Sequence, residues 1–223
     1  MKSCWLPRGG GKDCLLFLAG WGMGPEPFQD VDFGKADVLL VYDYRSIDDS
    51  LFAALPQEKT LHLLAWSMGV WAAAWLAEHG PHFAALRFST ATAIGGTLNP
   101  IDDQKGIPAQ SFEAMLDDFS PLILENFYRS MFDSEADAEH FLARRPQRPW
   151  QELREELRCL RDLCRSSPAP PDISSRRIVT SRDRIFPARN QLRAWGRDRC
   201  EILPLPHFPF FSSAAAAWLH PTA

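Results

Sequence analysis

Two rhythms of apolar residues run along this chain. Short runs that are almost continuously apolar sit at 13–19, 37–43 and 60–65, with weaker ones at 85–90, 177–180 and 200–203. A short apolar run bounded by turn residues has the signature of a strand buried on both faces. Between the runs the spacing turns helical, beginning with an alanine-rich helix over 70–79. In 150–165, Leu153, Leu157, Leu160 and Cys164 recur at i, i+4, i+7 and i+11, so one stripe of that helix faces something apolar. Strands alternating with helices predict an α/β fold with a mostly parallel central sheet covered on both faces.

Residues 99–175 interrupt the alternation. They show helical periodicity, no convincing strand, and more length than a simple crossover needs. They are expected to form a helical cap and linker inserted into a core built from 1–98 and 176–223. The segment Ser166-Ser167-Pro168-Ala169-Pro170-Pro171 cannot continue a helix and reads as the linker returning the chain to the sheet.

Composition narrows the possibilities. The 223 residues, 46% of them hydrophobic, suit one domain with a large insertion, and disorder is excluded. A formal charge of −4 gives no overall basic field, so no nucleic-acid partner is expected and any polyanion-binding surface must be local. No stretch approaches the ~18 apolar residues of a membrane span, and the first residues lack the apolar core of a signal peptide. The chain therefore reads as cytoplasmic with no membrane partner. The five cysteines are odd in number and lack metal-site spacing, which predicts free, mostly buried thiols and no metal site.

Three places carry candidate chemistry. Ala65-Trp66-Ser67-Met68-Gly69 lies between a strand and a helix, with small residues two positions either side of the serine. A nucleophile elbow needs this pattern, because its strained turn brings neighbouring backbone close; a helix-capping serine at an ordinary turn is the competing reading. Acyl transfer also needs preorganised N–H donors for the oxyanion, worth roughly 3–4 kcal/mol each. Met68 supplies one backbone N–H, and Trp21 in the loop Gly20-Trp21-Gly22-Met23-Gly24 is placed to supply the other. That loop lacks the Lys-Ser/Thr of a phosphate-binding loop and the spacing of a dinucleotide fingerprint, which leaves a plain turn as its alternative. Asp183 and His207 then follow the late strands in the order serine, acid, histidine; taken singly, each also fits a capping or loop residue. His62, His79, His82, His140 and His220 do not follow the C-terminal end of a strand, and Trp71 and Trp75 read as core packing. Ser67, Asp183 and His207 together predict an α/β-hydrolase fold with a serine triad.

The residues also resemble a known family, the short BioG-type pimeloyl-[acyl-carrier protein] methyl ester esterases of biotin synthesis. The likeness spans nearly the whole chain. It is carried by Gly20-Trp21-Gly22-Met23, Tyr42-Asp43-Tyr44-Arg45, Ala65 to Val70, Gly96-Thr97-Leu98-Asn99-Pro100-Ile101-Asp102 with Gly106-Ile107-Pro108, Asp183 to Pro187, and His207 to Phe210. The resemblance implies an esterase acting on the methyl ester of pimeloyl-carrier, releasing methanol, with no metal or dissociable cofactor. It also makes an acyl carrier protein the partner. An acidic enzyme holding an acidic carrier needs local positive charge, and Arg154, Arg158, Arg161 and Arg165 recur along one flank of the 150–165 helix, with Arg144, Arg145 and Arg148 just before. A solvated face partly paired through Glu155 and Asp162 is the alternative for that stripe. A short-chain carboxylesterase or thioesterase on the same fold, and a non-catalytic hydrolase-like binding protein, remain the rival functions.

Overall fold

The apolar runs become the centre of a seven-stranded sheet. The computed structural model describes residues 1–6, 9–56, 58–212, 215 and 219. Its strands are β1 (Lys2–Trp5), β2 (Asp13–Leu18), β3 (Asp37–Tyr42), β4 (Thr60–Trp66), β5 (Thr90–Ile94), β6 (Arg176–Thr180) and β7 (Glu201–Leu203), in the spatial order β1-β3-β2-β4-β5-β6-β7. β1 pairs antiparallel with β3, and every other neighbouring pair is parallel. Successive side chains of β2 go to opposite faces: Leu16 and Leu18 pack with Leu63, Ala65 and Trp71, whereas Leu15 and Phe17 pack with Leu64 and Trp66. Two buried faces explain why the strand sequence is apolar without alternation.

Helices α1 (Met68–His79) and α2 (Pro81–Ala84) follow β4, and α7 (Ala188–Trp195) follows β6. The interval between β5 and β6 contains α3 (Ala109–Asp117), α4 (Pro121–Ser130), α5 (Glu135–Ala143) and α6 (Trp150–Ser166). In α6, Leu153, Leu157 and Leu160 are buried as their spacing predicts, and Cys164 is half-buried. No helix among the described residues is long and apolar enough to cross a membrane.

Several expectations need correction. The strand expected at 85–90 lies at Thr90–Ile94, because Leu86 and Phe88 make that window apolar from the loop leaving α2, where they pack half-buried on the core. β1 carries no apolar run; it is an edge strand whose Lys2 and Ser3 are exposed. Helix α1 starts at Met68, two residues before the expected 70, directly off the turn at Ser67. All five cysteines are free, but Cys14 alone is buried and the other four are half-buried. His220 lies outside the described residues.

Candidate active site

β4 ends at Trp66 and α1 begins at Met68, so Ser67 alone makes the turn, at φ 59° and ψ −128°. A non-glycine residue at positive φ costs energy and persists only where its surroundings hold it. Here the Ser67 N–H donates to Ile94 O at 3.0 Å and its carbonyl accepts from Val70 N at 3.1 Å. The close crossing also dictates Gly69, since a Cβ there would lie 2.2 Å from Leu18 O. Ser67 Oγ makes no capping bond to α1 and lies instead 3.1 Å from His207 Nε2.

His207 follows β7, and its Nδ1 is 2.8 Å from Asp183 Oδ2. With Nδ1 donating to the carboxylate, Nε2 is left to accept from the serine hydroxyl. The imidazole is 1% exposed, stacks on Phe186, and is fixed through its main chain by Trp66 Nε1 donating to His207 O at 2.8 Å. Asp183 follows β6 and does not cap α7, whose cap position is Pro187. Its Oδ1 accepts from Ile185 N and Phe186 N, both at 2.8 Å. Its Oδ2 accepts from His207, from Thr180 Oγ1 at 2.8 Å and from Gln191 Nε2 at 3.2 Å. Five donors thus lock one carboxylate in one orientation. His62 lies within β4, His79 ends α1, His82 is in α2 and His140 is on α5, all outside this chain of contacts.

Ser67 lines a cavity of about 160 Å³. Trp21, Met68, Ile107, Phe112, Phe127 and Leu157 line it, with Ser111 and Arg184 as its other polar contributors. The loop after β2 approaches so closely that a Cβ on Gly20 would meet Ser67 Cβ at 2.9 Å. A buried hydroxyl, an imidazole and a carboxylate in hydrogen-bonded series beneath an apolar cavity can perform nucleophilic acyl transfer.

The model of the family described as pimeloyl-ACP methyl esterase BioG matches residues 1–218. The chain belongs to the BioG family. A crystal structure of BioG from Haemophilus influenzae superposes with a TM-score of 0.80 at 29% identity, covering 100% of this chain and 98% of that one. A Bacteroides fragilis protein named malonyl-[acyl-carrier protein] O-methyltransferase is 38% identical over 192 residues, 86% of this chain and 38% of that protein. The chain thus spans well under half the length of that relative. Human thioesterase 2 matches with a TM-score of 0.52 at 18% identity over 91% of this chain and 89% of its own, a likeness of fold. The BioG-family chain has the α/β-hydrolase fold, which esterases and thioesterases share.

The charges around this site are arranged less simply than the helical spacing suggests. In the BioG-family chain Arg161 pairs with Glu113 of α3 at 3.4 Å and with Asp162 at 2.9 Å, and Arg165 pairs with Glu113 at 2.8 Å. The stripe is therefore met largely by α3, not by acids earlier on its own helix. Arg158 is exposed and has no ion-pair partner among the described residues. Arg144 pairs with Asp30 at 2.7 Å. Arg148 is buried, 3.0 Å from Asp43 Oδ1 and 2.7 Å from Glu156 Oε2, and cannot present charge to a partner. Burial acts to raise the Asp43 carboxyl, but hydrogen bonds from Arg45 and Lys2 and the charge of Arg148 outweigh it and hold it well below the usual range. Burial pushes the Glu156 carboxyl up, against Arg148 and the Tyr44 N–H.

The sequence pattern does not single out Thr180, Gln191 or Glu156, and it places Arg148 with the carrier-facing charge, not in the buried pairs it makes with Asp43 and Glu156. Glu156 carried a signal, because it falls three residues after Leu153 on the inward side of α6. Thr180 and Gln191 become visible only once Asp183 lies between them, and Arg148 only through Asp43 and Met23, far from it in sequence.

Proposed function

We propose that this protein is a serine esterase that hydrolyses the methyl ester of pimeloyl-[acyl-carrier protein] in the cytoplasm, with Ser67 as nucleophile, His207 as general base and Asp183 as its orienting acid. The observation that carries this reading is the series Ser67 Oγ, His207 Nε2, His207 Nδ1 and Asp183 Oδ2, linked at 3.1 and 2.8 Å, with Ser67 lining an apolar cavity. Membership of the BioG family and a relative named for a carrier-bound acyl group favour the substrate.

On this reading His207 Nε2 takes the Ser67 proton as Oγ attacks the ester carbonyl, and the Trp21 and Met68 N–H groups hold the oxyanion. Collapse expels methoxide, which His207 protonates to methanol. Water, deprotonated by the same imidazole, then attacks the acyl-serine, and collapse passes that proton from His207 to Ser67 Oγ as pimeloyl-carrier leaves. Asp183 stabilises the imidazolium in both halves. Every step balances with protein groups and water, so neither a metal nor a dissociable cofactor takes part. The interval 99–175 acts as a cap over the acyl chain, contributing Ile107, Phe112, Phe127 and Leu157 to its pocket. The acyl carrier protein approaches the flank carrying Arg154, Arg158, Arg161 and Arg165.

The test is mass spectrometry of pimeloyl-carrier methyl ester after incubation with the enzyme. Conversion of the methyl ester to the free acid by the parent, and not by Ser67→Ala, is the expected result. Release of the acyl group from the carrier would mean that the thioester is attacked instead, and an unchanged substrate would overturn the reading.

A further inference from the structure

A loop of glycines has little stiffness of its own, yet an oxyanion donor works only if it is already in place when charge develops. The loop after β2 is held through its main-chain carbonyls. Tyr44 Oη donates to Ala19 O at 2.7 Å, and Tyr128 Oη donates to Gly22 O at 2.8 Å. These two carbonyls bracket Gly20 and Trp21, the segment packed against Ser67. Two further bonds continue the pattern: Arg148 Nη1 donates to Met23 O at 3.0 Å, and the Trp21 indole donates to Leu153 O at 2.8 Å.

Both tyrosines are buried, and neither borders the cavity above Ser67. They grip the loop from two parts of the chain, since Tyr44 follows β3 whereas Tyr128 is on α4. Tyr44 is fixed in turn by its N–H donating to Glu156 Oε1 at 3.0 Å, and Glu156 is held by the same Arg148 that reaches Met23.

We propose that Tyr44 and Tyr128 are positioning residues for the reaction: each hydroxyl clamps a carbonyl on one side of Trp21 and so fixes the Trp21 N–H where the oxyanion forms. This inference rests on the serine-esterase reading above. Burial raises both phenols above their ordinary range, so each stays protonated and able to donate throughout the working pH. Phenylalanine at either position keeps the ring and removes the clamp.

The test measures Tyr44→Phe and Tyr128→Phe on p-nitrophenyl butyrate, which needs no carrier, with inhibition by an alkyl trifluoromethyl ketone whose serine adduct carries the oxyanion. The expected result is a fall in kcat of about tenfold or more with KM held within about twofold, because small displacements of a reacting group cost rate rather than ground-state binding. Inhibition by the ketone weakens by a similar factor, while the pH profile keeps the parent's shape because His207 is untouched. A kcat within about twofold of the parent in a variant of parental melting temperature, or a raised KM at unchanged kcat, overturns the clamp. If one variant does not fold, the other decides, because the two hydroxyls act from different elements. Ser67→Ala is assayed alongside. If it is inactive, a neutral tyrosine result overturns the clamp alone, and if it still hydrolyses the ester, the serine-esterase reading falls and the clamp with it.

Discussion

Ser67 keeps its unfavourable backbone angles because Ile94 O, Val70 N and the bare Cα of Gly69 leave it no other arrangement. A site built on neighbours in this way should survive loss of the hydroxyl itself. Ser67→Ala is expected to melt close to the parent, to lose labelling by a fluorophosphonate probe, and to lose on the order of 10⁴-fold or more in kcat/KM. His207→Ala should cost several orders of magnitude in rate, whereas His140→Ala, on α5 and away from the serine, should be close to neutral. Acidification should lower the parent's activity, since a protonated imidazole has no lone pair to accept the serine proton; a rate that does not fall on acidification contradicts this role. The three residues were legible beforehand because each stands just past a strand, where this kind of sheet presents its loops. Thr180 and Gln191 were not, because an ordinary threonine at a strand end and a glutamine on a helix gain meaning only once Asp183 lies between them.

At the scale of elements, the start of α6 and the end of β3 are joined by ions. Asp43, in left-handed backbone at φ 62°, receives Arg45, Lys2 and Arg148, and Glu156 receives Arg148. Arg148→Met would leave two buried carboxylates without their shared cation and should cost about 3–5 kcal/mol in denaturant unfolding. Asp43→Asn tolerates the positive φ and removes only the charge. Because the folded-state carboxyl is held below its ordinary value, its ionised form stabilises the fold above that value and the benefit is lost as pH falls through the folded-state value. The stability gap between parent and Asp43→Asn should therefore be largest near neutrality and narrow as the pH falls below about 4. A gap that widens on acidification would contradict the sign. Helix α6 was readable almost to the residue because one long amphipathic stripe outweighs local accidents. β1 and β5 were not, because an exposed edge strand and a Thr-Ala strand lack the apolar run by which strands were recognised.

For the molecule as a whole, charge distribution and chain connectivity matter most. The arginine stripe was legible as spacing, but its partners were not, because Glu113 comes from α3 and no pattern within α6 announces it. The exposed members are the ones able to attract a carrier, so Arg158→Ala combined with Arg165→Ala should lower kcat/KM on the carrier-bound ester by about threefold to tenfold at low salt, with the difference shrinking as salt rises. Hydrolysis of a p-nitrophenyl ester should not change; equal loss on both substrates would mean that these arginines support the fold. The helical elements can form from neighbours in the chain, whereas the bonds that make the site join distant residues. Ser67 to His207 spans 140 positions, Trp21 to Leu153 spans 132, and Tyr128 to Gly22 spans 106. Closing loops of that length carries an entropic cost before any of these contacts repays it, so they belong to the late part of folding. During refolding from denaturant, helical circular dichroism should thus return ahead of hydrolytic activity, and a nascent chain has no working site until His207 has been made.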